Sequence, residues 1–182
     1  MEHDLKPFFV FGLLVSLAAV SFSKQRDWHF GPYIGFDSQY GFVKADSETF
    51  NPVNGRLRLG SYIYKTVGPE IVWGGISLHD DEKFNMELGI DESFAFNIRW
   101  ESPAEKNRGL SAYFLTGYVT NSVQILNPQG DTVKENYTGA NLGIGFKQKY
   151  FGWLGIYGEY NYQYFKDDVR ISGIAFGMQF EF

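Results

Sequence analysis

Residues 84–100 alternate in character almost without a break. Phe84, Met86, Leu88, Ile90, Phe94, Phe96, Ile98 and Trp100 share one parity, Asn85, Glu87, Gly89, Asp91, Ser93, Ala95, Asn97 and Arg99 share the other, and only Glu92 interrupts the apolar row. A period of two is the signature of a strand with one buried and one polar face. At about seventeen residues it exceeds most strands of soluble sheets. A slip of one residue would exchange the faces, so the register is fixed by the pattern. The chain ends in the same way: Ile174, Phe176, Met178, Phe180 and Phe182 alternate with Ala175, Gly177, Gln179 and Glu181.

The same reading predicts eight strands, separated by turn-forming residues. The first covers 30–44, with Ile34, Phe36, Tyr40 and Phe42 on one face and Tyr33, Asp37, Gln39 and Gly41 on the other. The second covers 56–64, alternating Leu57, Leu59 and Ile63 with Arg56, Arg58, Gly60 and Tyr62. The third, 70–79, starts with Ile71 and Trp73 outward; a bulge at Gly74-Gly75 shifts the phase so that Ile76 and Leu78 also face outward. The fourth is the 84–100 segment. The fifth, 110–121, has two mostly apolar or small faces, and its orientation stays open. The sixth, 137–150, sets Leu142, Ile144 and Phe146 against Asn141, Gly143, Gly145, Lys147 and Lys149. The seventh, 153–165, sets Leu154, Ile156, Tyr160, Tyr162 and Tyr164 against Tyr157, Glu159, Asn161 and Gln163, and the eighth closes the chain. Loops are expected at 45–54 and, longest of all, at 122–136.

Strands with one wholly apolar and one polar face, rich in aromatics, predict an all-β, eight-stranded antiparallel transmembrane barrel whose apolar face meets lipid. Composition agrees: 19% aromatic residues and 21 glycines accompany a mildly negative mean hydropathy, which suits strands with interfacial girdles and tight turns and not helical spans. Tyr33, Trp100, Tyr150, Phe151, Trp153 and Phe182 are expected in one interfacial belt, and Tyr40, Tyr118, Tyr162 and Tyr164 in the other. An even strand number places both termini on one side, the periplasm for this class.

The apolar run from Phe8 to Val20, followed by Ser21-Phe22-Ser23, has the length of a signal-peptide core. Residues 1–23 are therefore read as a signal peptide, despite an acidic start at Glu2 and Asp4, and residues 24–182 as one barrel domain. No cysteine is present, which removes disulfides and thiolate chemistry. Sixteen basic against 21 acidic residues leave no basic stripe for nucleic acid.

The motifs Tyr33-Ile34-Gly35-Phe36, Arg58-Leu59-Gly60-Ser61-Tyr62, Val67-Gly68-Pro69-Glu70-Ile71, Ala140-Asn141-Leu142-Gly143-Ile144-Gly145-Phe146, Gly158-Glu159-Tyr160 and Gly177-Met178-Gln179-Phe180-Glu181-Phe182 span the mature chain. In them the chain resembles the outer-membrane protein beta-barrel domain family, of the small eight-stranded type of the OmpA transmembrane domain and OmpX. The resemblance implies architecture and location in the bacterial outer membrane, with structural, adhesive or porin-like roles. It implies contact with outer-membrane lipid and lipopolysaccharide, recognition by the barrel assembly machinery through the C-terminal strand (Phe176, Met178, Phe180, Phe182), and a monomer.

The polar parities gather Arg56, Arg58, Arg99, Lys147 and Lys149 against Asp37, Glu70, Glu87, Asp91, Glu159 and Glu181. An eight-stranded barrel is just wide enough for side chains to fill it, so these groups are expected to pair into a polar plug without a large pore. A surface-interaction role through the loops at 45–54 and 122–136 follows, with a possible host or surface ligand as partner. The alternatives are a narrow channel or transporter for small solutes and a lipid A-modifying enzyme. Ser77 and His79 share a strand face beside Asp80, Asp81 and Glu82, but their order is the reverse of that in the outer-membrane lipid A deacylases, and no enzyme activity is expected. His3 and His29 form no metal-ligand cluster, so no cofactor is expected. A soluble lipid-binding barrel of the lipocalin kind would need the opposite arrangement, apolar inside and polar outside.

Overall fold

Alternating strands that bury their polar parity can satisfy every backbone group only by closing on themselves. In the computed structural model, which describes residues 28–45, 48–64, 66–79, 81–83, 86–103, 109–126, 130–165 and 170–182, the sheet closes in this way. The expected signal peptide lies outside the described residues. The elements are β1 (Trp28–Ala45), β2 (Glu48–Phe50), β3 (Val53–Tyr64), β4 (Val67–His79), β5 (Asp81–Lys83), β6 (Met86–Glu101), β7 (Leu110–Leu126), β8 (Thr132–Phe151), β9 (Leu154–Phe165) and β10 (Arg170–Glu181). The eight long strands form an antiparallel wall in the order β1-β3-β4-β6-β7-β8-β9-β10, and β10 returns to β1 from Lys44 opposite Arg170 to Tyr33 opposite Glu181. The short β2 and β5 pair with β1 and β6. The end holding the start of β1 and the end of β10 is termed the base, the opposite end the rim.

The faces follow the sequence parities. Phe36, Leu59, Ile71, Phe94, Phe96, Ile144, Phe146, Phe176 and Met178 are exposed on the outer wall, while Asp37, Arg58, Glu70, Asn97, Arg99, Glu159 and Gln179 are buried inside. Such a continuous apolar exterior is far larger than a water-soluble protein exposes, and it excludes the lipocalin-like arrangement. At the base Trp153 stacks on Phe151 and Phe180, with ring centroids 6.0 and 5.9 Å apart, part of an interfacial girdle.

Three expectations change. The 122–136 segment is largely strand: β7 and β8 stay paired up to Leu126 opposite Thr132, because Val123 continues the buried parity and Gly130 turns the chain at φ 84°. The 45–54 loop contains β2, which folds back on β1 and buries Phe50. Tyr33 lies in the lumen, as its parity on the first strand requires, and not in the belt where it was also expected, being 4% exposed. The open orientation of the fifth strand resolves with Ser111, Tyr113, Leu115, Val119, Asn121 and Val123 buried and Ala112, Phe114, Tyr118 and Thr120 exposed. In β4 the phase shift at Gly75 is present as a bulge, since Gly55 pairs with Ile76 and Arg56 with Gly74.

Four inward glycines have a common role. Gly60 stands between Tyr33 and Glu70, Gly117 between Asn97 and Asn141, Gly145 between Tyr113 and Glu159, and Gly177 between Asp37 and Tyr157. In each case the two flanking side chains hydrogen-bond across the glycine, at 2.9, 2.8, 2.9 and 2.7 Å. A Cβ at Gly145 would stand 2.4 Å from Tyr113 Cζ, and one at Gly60 would stand 2.3 Å from Tyr33 Cζ. Side chains two strands apart meet only because the intervening residue has none. Gly145→Ala should therefore cost about 1–3 kcal/mol by overpacking, whereas Gly152→Ala, in the β8–β9 turn with nothing within 4 Å, should change little. The urea midpoint for loss of the compact, heat-sensitive band in SDS gels measures both.

Candidate functional site: a lumen in two halves

The base half of the lumen is an ionic plug. Arg58, on β3, is its centre: Nε donates to Asp37 Oδ2 at 2.5 Å, Nη1 to Glu159 Oε2 at 2.7 Å and to Glu70 Oε1 at 3.2 Å, and Nη2 to Glu159 Oε1 at 2.7 Å. Alternation along β1, β4 and β9 aims these three carboxylates at one point, and Arg56 adds a 2.6 Å bond to Asp37. Nearer the base, Arg99 Nη1 reaches Glu70 at 3.2 Å and its Nη2 lies 2.9 Å from Glu101, while its guanidinium sits 3.8 Å from the Tyr113 ring centroid. Lys147 Nζ lies 2.6 Å from both Glu101 and Glu181, and Lys149 also pairs with Glu181.

Five cations thus meet five carboxylates among the described residues, most of them almost without solvent exposure. The hydroxyls of Tyr33, Tyr62, Tyr113 and Tyr157 donate to Glu70, Glu101, Glu159 and Asp37, adding a hydrogen bond to each of these carboxylates. A buried ion is tolerated only where pairing and hydrogen bonding offset its desolvation. The arrangement meets that condition, and it fills the bore.

Above the plug lies a layer of amides. Asn141 Nδ2 donates to Asn97 Oδ1 at 2.8 Å and Asn121 Nδ2 to Gln163 Oε1 at 2.6 Å, while Gln39 accepts from Arg56 at 2.7 Å. Toward the rim the lumen becomes apolar: Val43, Val72, Leu88, Ile90, Ala95, Val119, Val123, Phe165 and Ile171 form one buried cluster capped by Phe50 of β2. The cap is tied down where Gly41 N–H donates to Pro52 O at 2.8 Å and Asn51 N–H to the Asp81 carboxylate at 2.9 Å.

Of the lumen residues expected from sequence, Asp37, Arg56, Arg58, Glu70, Arg99, Lys147, Lys149, Glu159 and Glu181 come together in the plug. Glu87 and Asp91 do not: Asp91 is exposed and paired with Lys134 at 2.6 Å, and Glu87 lies beside β5 at the rim. Their parity is right for the lower part of β6, but a bulge at Asp91 changes it, as Ile90 pairs with Val123 and Glu92 with Ser122. The four tyrosines and Glu101 are members that the charge list omitted. Glu101 shares the parity of Asn97 and Arg99, a signal obscured by placing it in a turn. The lumen is also less polar than expected, because its rim half is hydrocarbon. Ser77 is exposed and stands opposite Asn54, which is buried in the lumen, and the side chain of His79 lies outside the described residues. Among the described residues no group of three His, Cys, Asp or Glu side chains is placed to hold a metal.

No family model matches the chain, and no curated protein matches it in sequence. Solved structures share its fold, that of small outer-membrane β-barrels. Ail, the attachment invasion locus protein of Yersinia pestis, aligns over 85% of this chain and 99% of its own with a TM-score of 0.63 and 16% identity. Neisserial surface protein A aligns over 83% and 97% with a TM-score of 0.63 and 12% identity. The N-terminal barrel domain of Pseudomonas aeruginosa OprF aligns over 81% and 97% at 0.56 and 13%. The chain is thus an eight-stranded antiparallel transmembrane β-barrel in architecture, with a fold held in common and a sequence largely its own.

Arg58→Met should destabilise the barrel by about 3–5 kcal/mol, the cost of stranding buried carboxylates. Arg58→Met/Glu159→Gln should lose less than the sum of the two single changes, since one uncompensated charge goes with its partner. Urea unfolding in detergent micelles measures both.

Proposed function

We propose that this protein is a monomeric barrel of the bacterial outer membrane, with both termini in the periplasm, that acts as a structural or surface-interaction protein and not as a pore or an enzyme. One observation carries the reading: the wall does not end level at the rim. The sheet β5-β6-β7-β8 continues past it, and over residues 132–136 β8 is fully exposed and pairs with β7 alone among the described residues. An exposed strand edge is a ready contact surface for another chain. The exposed wall supports lipid and lipopolysaccharide as neighbours, and the apolar row of Phe176, Met178, Phe180 and Phe182 suits recognition by the barrel assembly machinery.

The ionic plug argues against the channel reading, because solute passage would require separating ion pairs in a filled bore. The order of Ser77 and His79, the reverse of that in the outer-membrane lipid A deacylases, argues against an enzymatic role. One solved structure of Ail is a complex with the heparin analogue sucrose octasulfate. Charge weighs against such a ligand here: the projecting sheet exposes Asp91, Glu92, Asp131 and Glu135 against Lys134.

Protease treatment of intact cells should cut between β7 and β8 and leave a heat-modifiable barrel in the outer-membrane fraction; recovery from the soluble periplasm would overturn the location. In planar bilayers the protein should show no steady porin-sized conductance, and calorimetry should detect no sucrose octasulfate binding at physiological salt. A large open state or tight sulfate-ester binding would reverse the corresponding part of the reading.

A further inference from the structure

The amide layer between the ionic plug and the hydrocarbon cluster holds polar atoms that no side chain answers. Among the described residues, Oδ1 of Asn54, Asn121 and Asn141 is buried without a hydrogen-bond partner, and so is Nη2 of Arg56. The three asparagines are at most 3% exposed. A buried acceptor or donor left in this state is costly, and native structures supply a partner from the protein or from ordered water. Arg56 Nη2 lies 3.7 Å from Glu159 Oε1, close enough to feel its charge and too far for a hydrogen bond.

Two of these atoms belong to residues that border Gly74. This glycine is buried on the inward parity of β4, with Arg56 of β3 and Ser93 of β6 as its ladder partners. At Gly60, Gly117, Gly145 and Gly177 an added Cβ would collide with a neighbour, because there the flanking side chains meet over the glycine. Gly74 differs. A Cβ on it would stand 3.3 Å from Arg56 Cγ and 3.4 Å from both Asn54 Nδ2 and Ser93 Cβ, so its neighbours border a small space and leave room for a methyl group. Asn121, the ladder partner of Ser93, continues the same row.

We propose that an ordered water molecule occupies the space over Gly74, accepting from Arg56 Nη2 and donating to Asn54 Oδ1. Water fits because the orphaned atoms are one donor and one acceptor, and buried water takes two to four such partners. An alkali cation would stand beside the Arg56 guanidinium, and an anion would meet Glu159 near the same nitrogen. The charges of the plug already balance, so neither ion would find compensation. A larger neutral molecule has no room between the three bordering side chains. The site goes beyond the surface-interaction reading and survives its failure, because it lies inside the bore and not on the projecting edge.

Water-selective nuclear Overhauser spectra of the refolded full barrel in detergent micelles test the site. Cross-peaks from water to the inward Gly74 Hα and to Asn54 Hβ should appear, with the sign of bound and not freely diffusing water. Both should survive Ser93→Ala, which removes the bordering hydroxyl and with it any relay through hydroxyl exchange. In Gly74→Ala the new Cβ takes the space, so the cross-peak to Asn54 Hβ should be lost while heat-dependent SDS mobility reports an intact fold. A parent spectrum without a bound-water peak at Gly74 Hα would overturn the site, and this reading stands alone if Gly74→Ala does not fold. Loss of the peaks in folded Ser93→Ala, or an Asn54 Hβ peak that persists in folded Gly74→Ala, would overturn it as well. Replacing sodium and potassium by choline should leave the peaks unchanged; their disappearance would overturn the choice of a neutral occupant.

Discussion

Everything in the lower half of this barrel depends on the absence of room for water. A bore closed by eight strands is filled by its own side chains, so each charge brought inside must find its counter-charge inside. Arg58 answers three carboxylates, Arg99 two, and Lys147 two. The glycines at 60, 117, 145 and 177 are the geometric counterpart of that electrostatic demand. At each of these positions the absence of a side chain lets its neighbours on either side bond over the gap. Charge balance and glycine placement are one solution to one constraint.

The upper half solves the same problem differently. Among the described residues no charge enters its buried cluster, and packing fills it around Leu88, Val119 and Ile171. The lumen is therefore amphipathic along its axis, ionic at the base and hydrocarbon at the rim, with amides between. This gradient separates two properties that a uniformly polar plug would merge. The base half fills the bore with paired charges. The rim half is held by non-directional contacts, and it is there that the wall departs from regular pairing and the sheet extends past it.

Much of the wall was legible in the sequence because side-chain period and face are local properties: one uninterrupted alternation, as in β6, fixes strand, face and register together. Glu92 was legible as the one exception on its apolar face, but its bond to Trp73 depends on a strand distant in sequence. The site was half legible. Asp37, Arg56, Arg58, Glu159 and their kin announced themselves as inward charges, while Tyr113 did not, since both faces of its strand are mostly apolar or small. Glu87 and Asp91 were misplaced because a bulge breaks the parity that located them.

The sequence by itself determined that this chain forms a closed sheet with an apolar exterior and a polar, charge-balanced interior, since period two and the composition of each parity require nothing beyond neighbouring residues. Only the tertiary structure decided which charges meet, where the lumen turns from ionic to apolar, and where the pairing of β4 with β6 stops. These depend on strand stagger and on bulges, which set residues far apart in the chain at the same height in the barrel, and no local pattern encodes that height.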